Sequence, residues 1–189
     1  MLIKLQNNPA VKKIRFVFTR AAVPVIVALL ASYSLGLFGA GGGHVENHAF
    51  AGEGLVFSGR FEAAGFNGEG RLTFENGDSF SGALNAGRFD GYGTFESREG
   101  WVYEGYFENG SASGYGTFTD SRGKRVYKGN FTEGLFDGDG KYSPSDGGWT
   151  YEGGFTAGAF NGHGVVTGEN GETAESFWDM GVRVNGRAD

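Results

Sequence analysis

Between Trp101 and Glu108 the side chains alternate in character. Trp101, Tyr103, Gly105 and Phe107 fall on one side, and Val102, Glu104, Tyr106 and Glu108 on the other. That is the period of a strand with one aromatic face and one mainly polar face. Asn109-Gly110 follows, a pair that accepts positive φ and closes a tight turn. Gly116, Phe118 and Asp120, set against Thr117 and Thr119, then read as the returning strand. The segment therefore predicts a β-hairpin, and the turn around Gly123 leads into the next one.

The same pattern recurs every 23 or 24 residues, starting at Phe57, Phe80, Tyr103, Tyr127 and Tyr151. Two residues after each start stands Gly59, Gly82, Gly105, Gly129 or Gly153. A Gly-x-Gly pair follows in every copy, at Gly68/Gly70, Gly91/Gly93, Gly114/Gly116, Gly138/Gly140 and Gly162/Gly164, and then a turn glycine at Gly77, Gly100, Gly123, Gly147 or Gly171. Apolar residues keep the same register. Phe61, Leu84, Phe107, Phe131 and Phe155 form one column, and Leu72, Phe95, Phe118, Tyr142 and Val166 another. A fixed period of this length marks an array of identical units, none of which can bury its own apolar face without a neighbour. The expected fold is all-β: antiparallel hairpins joined into one elongated, twisted sheet of about ten strands. The glycines between ladder residues leave flat backbone on which rings can lie.

These residues resemble the MORN repeat family. Its pattern is a Tyr-Glu-Gly start, an aromatic two residues on, an Asn-Gly turn and a Gly-x-Gly return. Tyr103-Glu104-Gly105 with Phe107-Glu108-Asn109-Gly110 and Gly114-Tyr115-Gly116-Thr117-Phe118 carry the resemblance, as do Tyr151-Glu152-Gly153 and Phe155. It covers residues 57–173. The first two copies depart from it with Phe57-Ser58 and Phe80-Ser81 at the start, and the first has Ala64-Gly65 at the turn. Residues 174–189 keep Trp178 in the aromatic column and Gly181 at the turn, but carry Ala174 for the starting Tyr and Ser176 for the next glycine, as a capping half-repeat would.

Ahead of the repeats, Ala21 to Ala40 is a run of 20 uncharged residues, and Lys12, Lys13, Arg15 and Arg20 precede it. As a single hydrophobic helix it would reach about 30 Å, the thickness of a bilayer core. The sequence thus divides into a basic cytoplasmic N-terminus (1–20), a transmembrane signal anchor (21–40), a glycine-rich linker and partial cap (41–56), the repeats, and the C-terminal cap (174–189). The basic flank places the N-terminus in the cytoplasm and exports the repeats to the periplasm or cell exterior. A cleaved signal peptide processed near Ser34 and Gly36, with the repeats secreted, is the competing reading.

Charge and chemistry narrow the function. Residues 1–43 hold five Lys or Arg and no acid, so the remainder sets eleven basic residues against 22 acidic ones, a balance of −11 that repels nucleic acid. Cysteine is absent, which removes disulfides, thiolate metal sites and cysteine nucleophiles. His44 and His48 follow a glycine run that disfavours a helical metal site, and His163 fills the variable place of a Gly-x-Gly pair. The carboxylates lie in turns and on alternate strand positions, a poor arrangement for acid–base catalysis. No enzyme activity, cofactor or metal is expected.

The resemblance implies scaffolding, membrane association or self-assembly. The chain is accordingly expected to be a membrane-anchored scaffold that presents its sheet to a protein partner or to a second copy of itself. The aromatic ladder supplies the candidate contact residues: Trp101, Tyr103, Phe107, Tyr127, Phe131, Trp149, Tyr151 and Phe155. The same rings serve equally as the core of the array. A polysaccharide or cell-wall glycan, stacked on Trp101, Tyr103, Trp149 and Tyr151, is the alternative ligand. Lipid recognition is the third, implied by the resemblance; the charge balance argues against it, since anionic lipid calls for clustered Lys and Arg and the only local cluster is Arg122, Lys124, Arg125 and Lys128.

Overall fold

The computed structural model describes residues 43–50, 54–62 and 67–184. They form one open antiparallel sheet of 13 strands arranged in sequence order, with each strand paired only to its neighbours in the chain. The strands are β1 (Gly43–Phe50), β2 (Leu55–Glu62), β3 (Asn67–Phe74), β4 (Ser79–Asn85), β5 (Arg88–Glu96), β6 (Val102–Glu108) and β7 (Ser111–Thr119), then β8 (Arg125–Thr132), β9 (Leu135–Tyr142), β10 (Trp149–Thr156), β11 (Ala159–Gly168), β12 (Thr173–Asp179) and β13 (Val182–Val184). Gly43 to Phe50, within the segment 41–56 expected as a glycine-rich linker and partial cap, pairs as a strand with β2. The hydrophobic segment 21–40 lies outside the described residues, and among those described no helix is long and apolar enough to cross a membrane.

Two kinds of turn alternate. Along one margin, two-residue loops join β4 to β5, β6 to β7, β8 to β9, β10 to β11 and β12 to β13. Their central pairs are Ala86-Gly87, Asn109-Gly110, Glu133-Gly134, Ala157-Gly158 and Met180-Gly181, all with positive φ at both residues. That conformation matches the natural twist of the flanking strands. Along the other margin run longer turns, such as the one closed by Ser97 N–H donating to the Trp101 carbonyl and the one closed by Asp120 N–H donating to the Lys124 carbonyl.

The core lies on one face. Tyr103, Tyr127 and Tyr151 are buried, as are Phe57 and Phe80 at the equivalent position. Each tyrosine hydroxyl donates to a carbonyl three residues on, from Tyr103 to Tyr106 at 2.8 Å, Tyr127 to Asn130 at 2.9 Å and Tyr151 to Gly154 at 3.1 Å. The Phe column interleaves with these rings edge to face. Tyr103 meets Phe107 at 5.1 Å and Phe131 at 4.9 Å, and Tyr127 meets Phe131 and Phe155, each at 5.1 Å. Every such ring thus touches its own repeat and the next, which is how a single-layer sheet excludes water from one face.

A further core column stands two residues after the first four of these two-residue loops, at Phe89, Ala112, Phe136 and Phe160. Phe136 stacks on Tyr127 with centroids 3.7 Å apart and planes 8° from parallel, and Phe89 stacks on Phe80 at 3.8 Å. The backbone repeats this tie. Gly110, Gly134, Gly158 and Gly181 each donate their N–H to the carbonyl of the column residue one hairpin earlier, at 2.8 to 2.9 Å.

Candidate functional site

The Gly-x-Gly pair has two separate jobs. In β7 its second member, Gly116, pairs with Gly105, while Ala112 pairs with Phe107, so Tyr106 alone faces the three residues 113–115. That mismatch is a bulge, and Gly114 turns its corner with φ 78°. Gly116 meanwhile lies under the Tyr103 ring, where a Cβ would sit 2.6 Å from the phenolic oxygen. The same one-against-three register recurs in β4–β5, β8–β9 and β10–β11.

The residue before the first glycine of the pair is used in most copies. Asp137 and Asn161 accept a hydrogen bond from the first residue of the next tight turn, Ala157 N–H at 3.0 Å and Met180 N–H at 3.2 Å. Asp90 accepts from Asn109 N–H at 3.4 Å and Asn67 from Ala86 N–H at 3.0 Å, whereas Ser113 donates to Glu108. The residue after the bulge glycine, the variable x of the motif, points away from the core. Tyr92 and Tyr115 occupy this place in β5 and β7, and Tyr106 is the single residue opposite the bulge in β6. Three neighbouring strands therefore carry a row of tyrosines on the outer face, and these are 54%, 51% and 51% exposed for Tyr92, Tyr106 and Tyr115.

Tyr92 and Tyr106 meet edge to face at 5.4 Å. The Tyr92 hydroxyl donates to Glu104 Oε1 at 2.8 Å, and that bond to the carboxylate raises the phenol's pKa above its ordinary value. Lys128 Nζ lies 5.8 Å from the centroid of the Tyr115 ring, a cation–π contact. Elsewhere the same outer row reads Glu69, Ala83, Asn130, Asp139, Gly154, His163 and Phe177. The tyrosines are confined to the middle of the sheet.

The ladder residues expected to contact a partner are placed differently. Trp101, Tyr103, Phe107, Tyr127, Phe131, Tyr151 and Phe155 are buried, and Trp149 is partly buried against the same core. The physical reason is the pair of glycines beneath each starting aromatic: with no Cβ in the way, the ring collapses onto backbone. For the same reason Tyr103 and Tyr151 are not open platforms for a sugar, and Trp101 is buried by stacking on Phe95 at 5.4 Å. In the sequence the outer tyrosines are inconspicuous, because Tyr106 stands beside the core ring Phe107 and Tyr115 between two glycines. Their signal was their place at the positions where the five copies differ.

The basic cluster is dispersed. Arg122 pairs with Asp120 at 3.4 Å, the Lys124 ammonium donates to the Pro144 carbonyl, and Lys128 is the cation over Tyr115. His163 faces Glu175 at 3.5 Å and packs by Phe177, while His44 lies 3.9 Å from Glu46. Among the described residues no group of three or more His, Cys, Asp or Glu is placed to hold a metal ion.

No curated protein was found to match this chain. The family model described as MORN repeat matches it five times, over residues 58–79, 80–102, 103–125, 127–149 and 151–173. Repeats of this description generally serve as modules for interaction with proteins or membranes. The matched units run in phase with the glycines and aromatics of successive hairpins, and together they span more than half of the sequence: the chain belongs to the MORN repeat family.

Proposed function

We propose that the protein is a membrane-anchored interaction module that holds an exported, acidic sheet before a protein partner. The anchor is the uncharged run 21–40, and its basic flank sets the N-terminus in the cytoplasm. The contact is the outer row Tyr92, Tyr106 and Tyr115. One observation carries this reading: the ladder rings are used up in the core, whereas these three large rings stand half open on adjacent strands. Tyrosine is well suited to the task, since a ring with a polar tip offers contact area at low entropic cost. Outward rings are not needed to close the sheet, because the core forms on the other face.

The test is affinity capture from gently solubilised membranes with the full-length chain, beside a Tyr92→Ser/Tyr106→Ser/Tyr115→Ser variant. A stoichiometric protein retained by the wild type and lost by the variant supports the reading. Recovery of the bait alone from both, or equal retention by both, removes the tyrosine row as the contact. Release of the protein by alkaline carbonate would remove the anchor.

A further inference from the structure

We infer that the outer face of β5–β8 receives a basic segment of the partner, seating a Lys or Arg side chain among Tyr106, Tyr115 and Glu104. The inference rests on the interaction reading above and names the chemistry of its partner.

Three observations point to a cation. The chain already places one there, since the Lys128 ammonium sits over the Tyr115 ring, and Tyr106 offers a second half-open ring on the adjoining strand. The negative quadrupole of an aromatic face attracts such groups. Next, Glu104 and Glu108 share the outer face of β6 with Tyr106, and neither forms an ion pair among the described residues. Among the described residues their hydrogen bonds come from neutral hydroxyls, Tyr92 to Glu104 and Ser113 to Glu108 at 3.2 Å. Finally, the charge balance of −11 outside residues 1–43 draws basic partners from a distance and repels anionic ones. Rings beside unpaired carboxylates suit a guanidinium or ammonium better than a neutral sugar, which needs flat parallel platforms: the planes of Tyr92 and Tyr106 are 80° apart.

The test uses the full-length chain in detergent micelles on an array of peptides matched in length and apolar content, bearing Lys/Arg, Asp/Glu or neutral residues. Retention should concentrate on the Lys/Arg peptides and weaken as salt is added. Tyr106→Ser/Tyr115→Ser should lower affinity by about tenfold and Glu104→Gln by about threefold. Glu169→Gln, in the turn between β11 and β12, serves as the charge control and should change nothing. Thermal melting shared with the wild type establishes that the variants fold. Retention on neutral or acidic peptides, no retention at all, or equal loss from Glu169→Gln and Glu104→Gln overturns the inference. So does tyrosine-dependent binding to anionic vesicles or to a neutral polysaccharide. If the array fails while membrane capture still recovers a tyrosine-dependent protein, the basic class is wrong and the module stands. If both fail, both are wrong.

Discussion

The ring of Tyr103 lies across Gly116 so closely that a Cβ on the glycine would stand 2.6 Å from the phenolic oxygen and 2.7 Å from Cε2. Neither side can yield, because the glycine is paired in the sheet and the tyrosine is buried and hydrogen bonded. Gly116→Ala is therefore expected to cost about 2–3 kcal/mol by overpacking. Gly123→Ala meets nothing within 4 Å and suffers only from its φ of 77°, a cost of about 1 kcal/mol. Urea unfolding of the two variants measures the difference.

Core and contact separate by mutation. Phe131 is buried between Tyr103, Tyr127 and Phe136, and Phe131→Ala should destabilise the domain by about 3–5 kcal/mol. Tyr115→Ser, on the opposite face, should shift stability by no more than about 0.5 kcal/mol. Denaturant midpoints of the pair check the assignment of the two faces.

The tight turns invite a stabilising change. Ala86 is exposed and holds φ 48°, a conformation costly for alanine and well tolerated by asparagine. Asn109 already fills the equivalent place one repeat later with φ 51°. Ala86→Asn should raise stability by about 0.5–1 kcal/mol and Asn109→Ala should lower it by a similar amount, read from paired melting curves.

Alkali should unfold the sheet. Burial raises the phenols of Tyr103 and Tyr127 far above the ordinary value of 10.0, and pushes Tyr151 up to about 12. Below pH 10 these groups are protonated in both states, and their contribution to stability is complete. Above it the unfolded chain releases protons that the folded chain retains, so stability falls as pH rises from 10 through the folded values. Phenolate absorbance and circular dichroism followed together should show the buried tyrosines ionising only as the strands are lost. Tyr151→Phe should move that transition to higher pH.

Much of this architecture was legible because glycine leaves a mark wherever backbone geometry is special. The five starts, the Asn109-Gly110 turn, both aromatic columns and the closing Trp178 follow from spacing alone. The column of Phe89, Phe136 and Phe160 was hidden for a physical reason: two extra residues in each bulge throw the return strand out of simple alternation with Gly116 and Phe118. The facing of the rings was hidden too. An aromatic at every second place, as in Tyr103 and Phe107, looks the same from sequence whether it meets water or another ring. Alternation already sets Tyr106 on the polar side, and the bulge at Gly114 brings Tyr115 to that same side. The strand over Gly43 to Phe50 was obscured by its glycine-rich approach, which reads as spacer.

Because each strand bonds only to the strands before and after it in the chain, no long-range clasp among the described residues holds the two ends of the sheet together. Tension applied at those ends would load one row of hydrogen bonds at a time, and the sheet would peel hairpin by hairpin. Each repeat surrendered would release about 80 Å of chain. With the proposed anchor ahead of β1 and the proposed partner at Tyr92, Tyr106 and Tyr115, the pull would fall on the strands before β5, and that stretch would act as an extensible tether: it would yield in near-equal increments and shorten again, strand on strand, when the pull is relaxed.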